Sequence, residues 1–191
     1  MIQNKKSVKM EGETKTIHEL IQDFYTINKF DNDGGTKKKI VCIKFGFISF
    51  PLPNFESRKE NVHFHDINHI ITGFDTTWKG ESSISAWEVA SGGWKNNFIP
   101  WLLTLWSMGL GILFYSKTTV NSFNKGLTMC NSLCCGLHYT EINSLTETEL
   151  RNRLSELKLK NRNLLFWSIV SVIFFLAPFI LIFFVMTFLL A

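Results

Sequence analysis

Hydrophobic and polar positions are distributed unevenly along this chain, and their pattern predicts three segments. Residues 1–39 are mostly polar, with one amphipathic stretch at 17–27. Residues 40–160 mix apolar and polar positions as a folded domain does. Residues 161–191 start with a few polar positions and continue from residue 164 without any charge. We therefore predict a polar N-terminal segment, a single domain and a C-terminal membrane anchor.

Most of the domain has the apolar periodicity and the capping residues of α-helices. The predicted helices lie at 62–72, 78–91, 98–116, 118–136 and from 146 onward. Gly73 is placed to end the first helix, and Thr76 or Thr77 can cap the second. Thr146 and Glu149 have the spacing of a capping box. The fold class expected from this pattern is mainly α.

Residues 40–50 depart from the helical pattern. Their sequence, IVCIKFGFISF, is rich in β-branched and aromatic residues, and on its own it predicts a strand. Pro51 ends that run and begins an extended connection.

Two segments are apolar and free of charge. Residues 98–116 are just long enough to span a bilayer, but their small residues favour a buried or interface-lying helix. Residues 164–191 would form a helix of about 42 Å, which exceeds a hydrocarbon core of about 30 Å. We predict a membrane helix here, tilted or kinked at Pro178. The basic residues between 158 and 162 place the domain on the cytoplasmic face.

Charge and cysteine usage exclude several kinds of partner and site. The net charge is +4, and no dense basic run is interleaved with aromatic residues, so nucleic acid is not expected as a partner. Four cysteines occur in a chain whose polar N-terminus predicts no secretory signal, so reduced thiols are expected. Cys130, Cys134 and Cys135 do not have the spacing of a common zinc site, and we interpret them as small apolar residues on a helix.

The candidate chemistry lies on the helix-loop-helix formed by 62–72 and 78–91. His65 and His69 are four residues apart, so they share one face of a helix and can bind one ion. Asp66 borders that face and adds a carboxylate. Glu81 begins the second helix and faces the histidines if the helices pack antiparallel. These four residues predict a divalent-metal site for Zn²⁺, Fe²⁺ or Mn²⁺.

The neighbours of this site are ambiguous, and so is the site itself. Two histidines at this spacing also occur on solvated polar helix faces, which is the alternative for the whole group. His63 is either a residue supporting the site or simply part of the helix start, and we favour the second. Glu88 lies on the same face as Glu81. It is either a residue supporting the site or a solvated carboxylate, and we favour the second.

The pattern His65-Asp66-x-x-His69-x11-Glu81 resembles the H-D-x-x-H-x11-E signature of the coenzyme Q biosynthesis protein 4 family. The family's Leu-Thr-Gly-Tyr is similar to residues 71–74, and its Gly-Glu pair corresponds to Gly80 and Glu81. The similarity extends over roughly residues 50–159. The N-terminal part matches poorly, and the apolar C-terminal segment is additional.

The resemblance implies a compact, mainly helical domain at a membrane, with a metal site facing a cavity for an isoprenoid chain and its aromatic head. It also implies that residues 40–50 are at least partly helical or irregular. The implied activity is loss of the C1 carboxyl from a prenylated quinone precursor, with hydroxylation at that carbon. The implied partners are a membrane lipid or isoprenoid quinone precursor, and other biosynthetic proteins or a second copy of the chain. The alternative is a non-catalytic scaffold that binds prenyl lipids and has a structural metal.

Overall fold

The computed structural model describes residues 15–45, 48–157 and 161–190 and is mainly helical, as predicted. Its elements, in chain order, are α1 Ile17–Asn28, β1 Ile40–Phe45, β2 Ile48–Pro53, α2 Glu56–Thr72, α3 Trp78–Ala90, α4 Phe98–Phe114, α5 Ser116–Gly126, α6 Tyr139–Ser144, α7 Glu147–Glu156 and α8 Leu164–Leu190.

Strands β1 and β2 form an antiparallel hairpin, in which Ile40 pairs with Pro53 and Phe45 pairs with Ile48. The strand predicted from composition is therefore present, and the expectation of helix or irregular chain was wrong for residues 40–45 and 48–50, while residues 46 and 47 lie outside the described residues. The hairpin also includes Pro51, which we had expected to end the strand. An isolated two-stranded hairpin has edges on both sides, where a proline is tolerated.

The predicted caps of α2, α3 and α7 are confirmed. Gly73 takes the left-handed conformation (φ 70°) at the end of α2. The Thr77 side chain accepts the Gly80 N–H at the start of α3. Thr146 and Glu149 form the expected capping box of α7. These features were predictable because a cap depends on residues within one turn of the helix end.

The helix predicted at 118–136 ends much earlier, at Gly126. The residues after it form turns, in which the Asn131 side-chain oxygen accepts the Cys134 N–H at 3.0 Å. Such local hydrogen bonds compete with helix formation. The helical placement of Cys130, Cys134 and Cys135 was therefore wrong, although all three are free thiols, as expected.

The first of two apolar clusters joins helices that are far apart in sequence. Its buried members are Ile17, Ile21, Tyr25, Ile67, Ile71, Cys130, Ile142, Leu150 and Leu154. Helix α1 thus packs in the same core as α2 and α7, although it lies in the segment predicted as a polar N-terminus. Backbone contacts also hold α1 beside the start of α7: Thr16 and Thr146 form a β-bridge, and the Ile17 N–H donates to the Leu145 carbonyl at 2.8 Å.

The second cluster joins α3, α4 and α5. Its buried members are Ala86, Val89, Ala90, Leu105, Met108 and Phe123. Helix α4 is partly buried here, in keeping with the interpretation of 98–116 as a buried or interface-lying helix. On its other side, α4 packs against α8.

Helix α8 has 27 residues and contains Pro178. It is long and apolar enough to span a membrane. Of its residues, Ser171 and Phe175 are buried, both against α4. The basic residues Lys158 and Lys160, on which the predicted orientation partly rests, lie outside the described residues.

Candidate metal centre

Three side chains from α2 and α3 converge on one point. His65 Nε2 lies 3.2 Å from His69 Nε2. Glu81 Oε2 lies 3.4 Å from His65 Nε2, and Glu81 Oε1 lies 3.5 Å from His69 Nε2. Two atoms bound at ~2.0–2.1 Å to one tetrahedral ion would be roughly 3.3–3.4 Å apart. This group could therefore hold a metal ion, as the sequence predicted for these three residues.

Helix periodicity and a short loop explain this convergence. His65 and His69 project from one side of α2 because they are one turn apart. The loop between α2 and α3 returns the chain so that Glu81, in the first turn of α3, reaches both imidazoles. The His65 and Glu81 side chains are 26% and 32% exposed, so a small molecule can approach the group from one side.

The His65 ring is oriented by a buried hydrogen-bond chain. His65 Nδ1 lies 2.8 Å from Glu88 Oε1, which also accepts a hydrogen bond from Asn68 Nδ2 at 2.9 Å. Asn68 Oδ1 in turn accepts from the Ser132 hydroxyl at 2.8 Å and from the Ser132 N–H. Because a carboxylate only accepts, Nδ1 carries the proton, and the lone pair of the neutral ring is on Nε2.

The His69 ring is held by different contacts. Its Nδ1 lies 2.9 Å from the Phe74 carbonyl oxygen, which again places the proton on Nδ1 and the lone pair on Nε2. The Phe24 ring stacks on the imidazole at a centroid distance of 5.4 Å. Both histidines thus present the same nitrogen toward Glu81, and each is fixed by a partner on its far side.

Glu88 is 0% exposed, so the expectation of a solvated carboxylate was wrong. Its Oε2 has no hydrogen-bond partner among the described residues. An ionised carboxylate is costly to bury unless positive charge lies nearby. A cation bound by the three ligand atoms would lie just beyond the His65 ring, which fits a metal at this position.

Asp66 does not join the three ligand atoms. It is buried, and its Oδ2 accepts a hydrogen bond from the Tyr25 hydroxyl at 2.8 Å. The same hydroxyl lies 3.2 Å from His63 Nδ1. Of the four predicted ligands, the structure therefore unites His65, His69 and Glu81, and it places Asp66 in a neighbouring cluster that ties α1 to α2. His63 supports that cluster rather than the metal group.

The two clusters differ in their electrostatics. Burial opposes ionisation of Glu81. When no ion is bound, hydrogen bonds donated by protonated Nε2 atoms of His65 and His69 outweigh burial and hold the pKa of Glu81 below its usual range. Burial also disfavours the charged His65 ring, but Glu88 and Glu81 outweigh that effect and raise its pKa. Burial, reinforced by Asp66, raises the pKa of Tyr25. The phenol therefore stays protonated and donates a hydrogen bond to Asp66.

Sequence reasoning missed Asn68 and Ser132 entirely, and it misjudged Glu88. Asn68 lies within the metal motif, one residue before His69, and no feature of the helical pattern distinguished it from a solvated amide. No local pattern marked Ser132, because its partner Asn68 is 64 residues away.

No match to this chain was found among protein-family models, curated proteins or solved structures. The resemblance to the coenzyme Q biosynthesis protein 4 family therefore stays a prediction that rests on the residues of the motif.

Proposed function

We propose that this chain is a membrane-held protein that binds one divalent metal ion through His65, His69 and Glu81. In this proposal it acts on a prenylated aromatic acid or a similar isoprenoid lipid, as proteins of the coenzyme Q biosynthesis protein 4 type are thought to do. Zn²⁺ and Fe²⁺ are the ions that this ligand set favours most, and Mn²⁺ is also compatible with it.

The observation that carries the proposal is the spacing of the three side chains, together with the protonated Nδ1 of each histidine. The two Nε2 atoms lie 3.2 Å apart, and each lies 3.4–3.5 Å from one oxygen of Glu81. In metal sites, ligating histidines commonly donate their other N–H to a carboxylate or a carbonyl. Glu88 and the Phe74 carbonyl have these roles here.

Three protein ligands leave a coordination position for a substrate oxygen, as in catalytic rather than closed structural sites. When bound, the metal would supply a positive charge that binds the ring carboxylate and positions it for reaction. The chain's own residues position the two imidazole ligands. Glu88 fixes the His65 ring, and Phe24 covers the His69 ring and excludes water from it.

Two features support a membrane lipid as the substrate class. Helix α8 is apolar, and all its residues from Leu176 to Leu190 are exposed, which suits a bilayer better than water. The motif resemblance independently points to a ring with an isoprenoid tail. We place the domain on the cytoplasmic face, because basic residues precede α8 in the sequence.

The first experiment is elemental analysis of the full chain purified in detergent and reloaded separately with Zn²⁺, Fe²⁺ and Mn²⁺. We expect about one ion per chain in the unmodified protein and less than a tenth of that in His69→Ala and Glu81→Ala. His18→Ala removes an exposed histidine from α1 and is the matched control. Equal metal contents in all four proteins would refute the site.

The second experiment separates an enzyme from the alternative, a scaffold with a structural metal. The loaded protein is incubated with a prenylated 4-hydroxybenzoate under O2, and release of CO2 is measured. We expect release that Glu81→Ala abolishes. No release, combined with loss of helical circular dichroism on chelation, would identify the metal as structural and favour the scaffold.

A further inference from the structure

Part of α4 is exposed although the helix is apolar and carries no charge. Its exposed residues include Leu103, Leu113 and Phe114, and the Phe114 side chain is 67% exposed. Phe114 is covered only in part, by Phe175 of α8. Helix α5 lies on a different side of α4, and it turns polar residues to solvent, including Lys117 and Lys125. The domain thus has a polar side and an apolar side, with α4 at the boundary between them.

Helix α8 is fixed to α4 along much of the length of α4, and the two helices run parallel. The Trp101 and Trp167 rings stack at 5.4 Å near their N-terminal ends. Further along, the Trp106 and Phe114 rings lie 5.1 and 6.3 Å from the Phe175 ring. Because α8 is held at both ends of α4, it cannot enter a lipid phase without bringing α4 to the same boundary.

Close backbone contact makes this attachment rigid. A Cβ atom at Gly109 would collide with the Ser171 carbonyl and lie 2.7 Å from the Phe175 Cβ. Only glycine allows the helices to approach so closely. Helix α8 is therefore a fixed part of the domain up to Phe175 rather than a tether.

The outward side of the same part of α8 is also apolar and exposed, at Leu165, Phe166, Ile169 and Ile173. This side continues into the fully exposed remainder of α8, which begins near Phe179. The outward side of α8 and the exposed part of α4 therefore form one apolar surface, which we call the α4–α8 face.

A cation and two indole rings mark one end of this face. The Arg162 guanidinium lies 5.3 Å from the Trp101 ring centroid and 5.1 Å from the Trp167 ring centroid. It also donates to the Gly92 carbonyl at 2.8 Å, so its position is fixed by the domain. Tryptophan and arginine concentrate where a bilayer meets water, and an arginine there attracts anionic headgroups.

From these observations we infer that α4 is a second lipid-contacting helix, and that the α4–α8 face lies in a bilayer containing anionic phospholipids. The inference rests on the membrane attachment by α8 that is part of the proposed function. The charge-free helices account for contact with acyl chains, and Arg162 accounts for the anionic headgroups.

Photocrosslinking tests this inference on the full chain in nanodiscs of phosphatidylcholine and phosphatidylserine. Leu103, Phe114, Phe188 or Phe55 is replaced, one at a time, by p-benzoylphenylalanine, and adducts are weighed by intact mass spectrometry after irradiation. Phe188, in the exposed end of α8, reports whether α8 is in lipid. Phe55, exposed just before α2, is the matched control away from the α4–α8 face.

We expect phospholipid adducts at Leu103, Phe114 and Phe188 and none at Phe55. Adducts at Phe188 without adducts at Leu103 and Phe114 would overturn the inference and leave the attachment by α8 standing. Crosslinks from Phe114 to a second copy of the chain would overturn it in favour of a protein interface. The absence of adducts at all positions would refute the membrane attachment as well, whereas metal content in the same samples reports separately on the metal site.

Discussion

The α2–α3 pair and the α4–α8 pair are joined by opposite means. Between α2 and α3 the buried contacts are polar and directional: a carboxylate, an amide and two imidazoles bond in a chain. Between α4 and α8 they are aromatic rings and a backbone approach at Gly109. Directional bonds fix atoms to within tenths of an ångström, which a metal site requires. Apolar contact fixes position with less demand on chemistry, which suffices for a surface that meets lipid.

The largest effect should come from removing the polar contacts of Asn68, a fully buried residue of the α2–α3 pair. Asn68→Ala leaves the Ser132 N–H without its acceptor and removes one of the two hydrogen bonds to Glu88, which keeps only His65. We expect a loss of about 3 kcal/mol in the free energy of unfolding. For a chain of this size, that loss lowers Tm by roughly 6–12 °C. Thermal circular dichroism measures it, with the exposed Ser155→Ala as a control; equal Tm values for the two variants would argue against the buried network.

Glu88→Gln keeps the shape of the side chain that contacts His65 and Asn68 and removes its negative charge. We expect metal affinity to fall about 10–100-fold, because an amide orients the His65 ring less well and lowers its basicity. This corresponds to roughly 1.4–2.7 kcal/mol. Competition against a chromophoric chelator measures the affinity. An unchanged affinity would mean that Glu88 serves packing alone.

Gly109→Val tests the apolar pair. The added side chain meets backbone atoms of Ser171, which cannot move aside cheaply, so we expect a loss of about 1–2 kcal/mol. The emission of Trp101 and Trp167 should shift as their stacking loosens, while metal content stays at the level of the unmodified protein. Leu113→Val, an exposed change in the same helix, is the control. A parallel loss of metal would show that the two pairs are coupled.

A smaller effect distinguishes the metal group from the neighbouring Tyr25–Asp66 cluster. We expect Asp66→Asn to retain about one metal ion per chain and to lose less than about 1 kcal/mol of stability, because an amide oxygen still accepts from Tyr25. Elemental analysis and thermal unfolding measure the two quantities. Loss of the metal in this variant would restore Asp66 to the ligand set.

The smallest effect concerns Cys134, beside the loop that joins the two regions. The hydrogen bond from Cys130, aided by the charges of Lys95 and Arg162, lowers the pKa of Cys134 to about 7. Because the thiolate is the reactive form, its alkylation by iodoacetamide should rise with pH and reach half its maximal rate near pH 7. Lys95→Gln should move this midpoint upward by a few tenths of a unit. A midpoint near that of an ordinary thiol would contradict the assignment.

The sequence predicted those parts of the fold and site that depend on neighbouring residues. Helical spacing brought His65 and His69 together, and one short loop brought Glu81 to them. Asp66 has nearly the same spacing, but its partner Tyr25 is 41 residues away, and no periodicity reveals such a contact. The buried state of Glu88 has a similar cause, since its partners His65 and Asn68 lie on α2, 23 and 20 residues away. The β-branched residues of 40–50 correctly predicted a strand. The family resemblance led us to expect helix or irregular chain there instead, and that expectation was wrong.

The bridge between Thr16 and Thr146 has a consequence for how the protein is made. Helix α1 supplies Phe24 and Tyr25 to the site. It can pair with Thr146 and pack against α7 only after residue 146 has been synthesised. At about 5–20 residues per second, the interval is roughly 7–26 s. During this time the apolar side of α1 has no complete binding surface, so the nascent chain offers it to chaperones. Synthesis of α8 follows within seconds, so the surface that completes the packing of α1 and the long apolar helix emerge in quick succession.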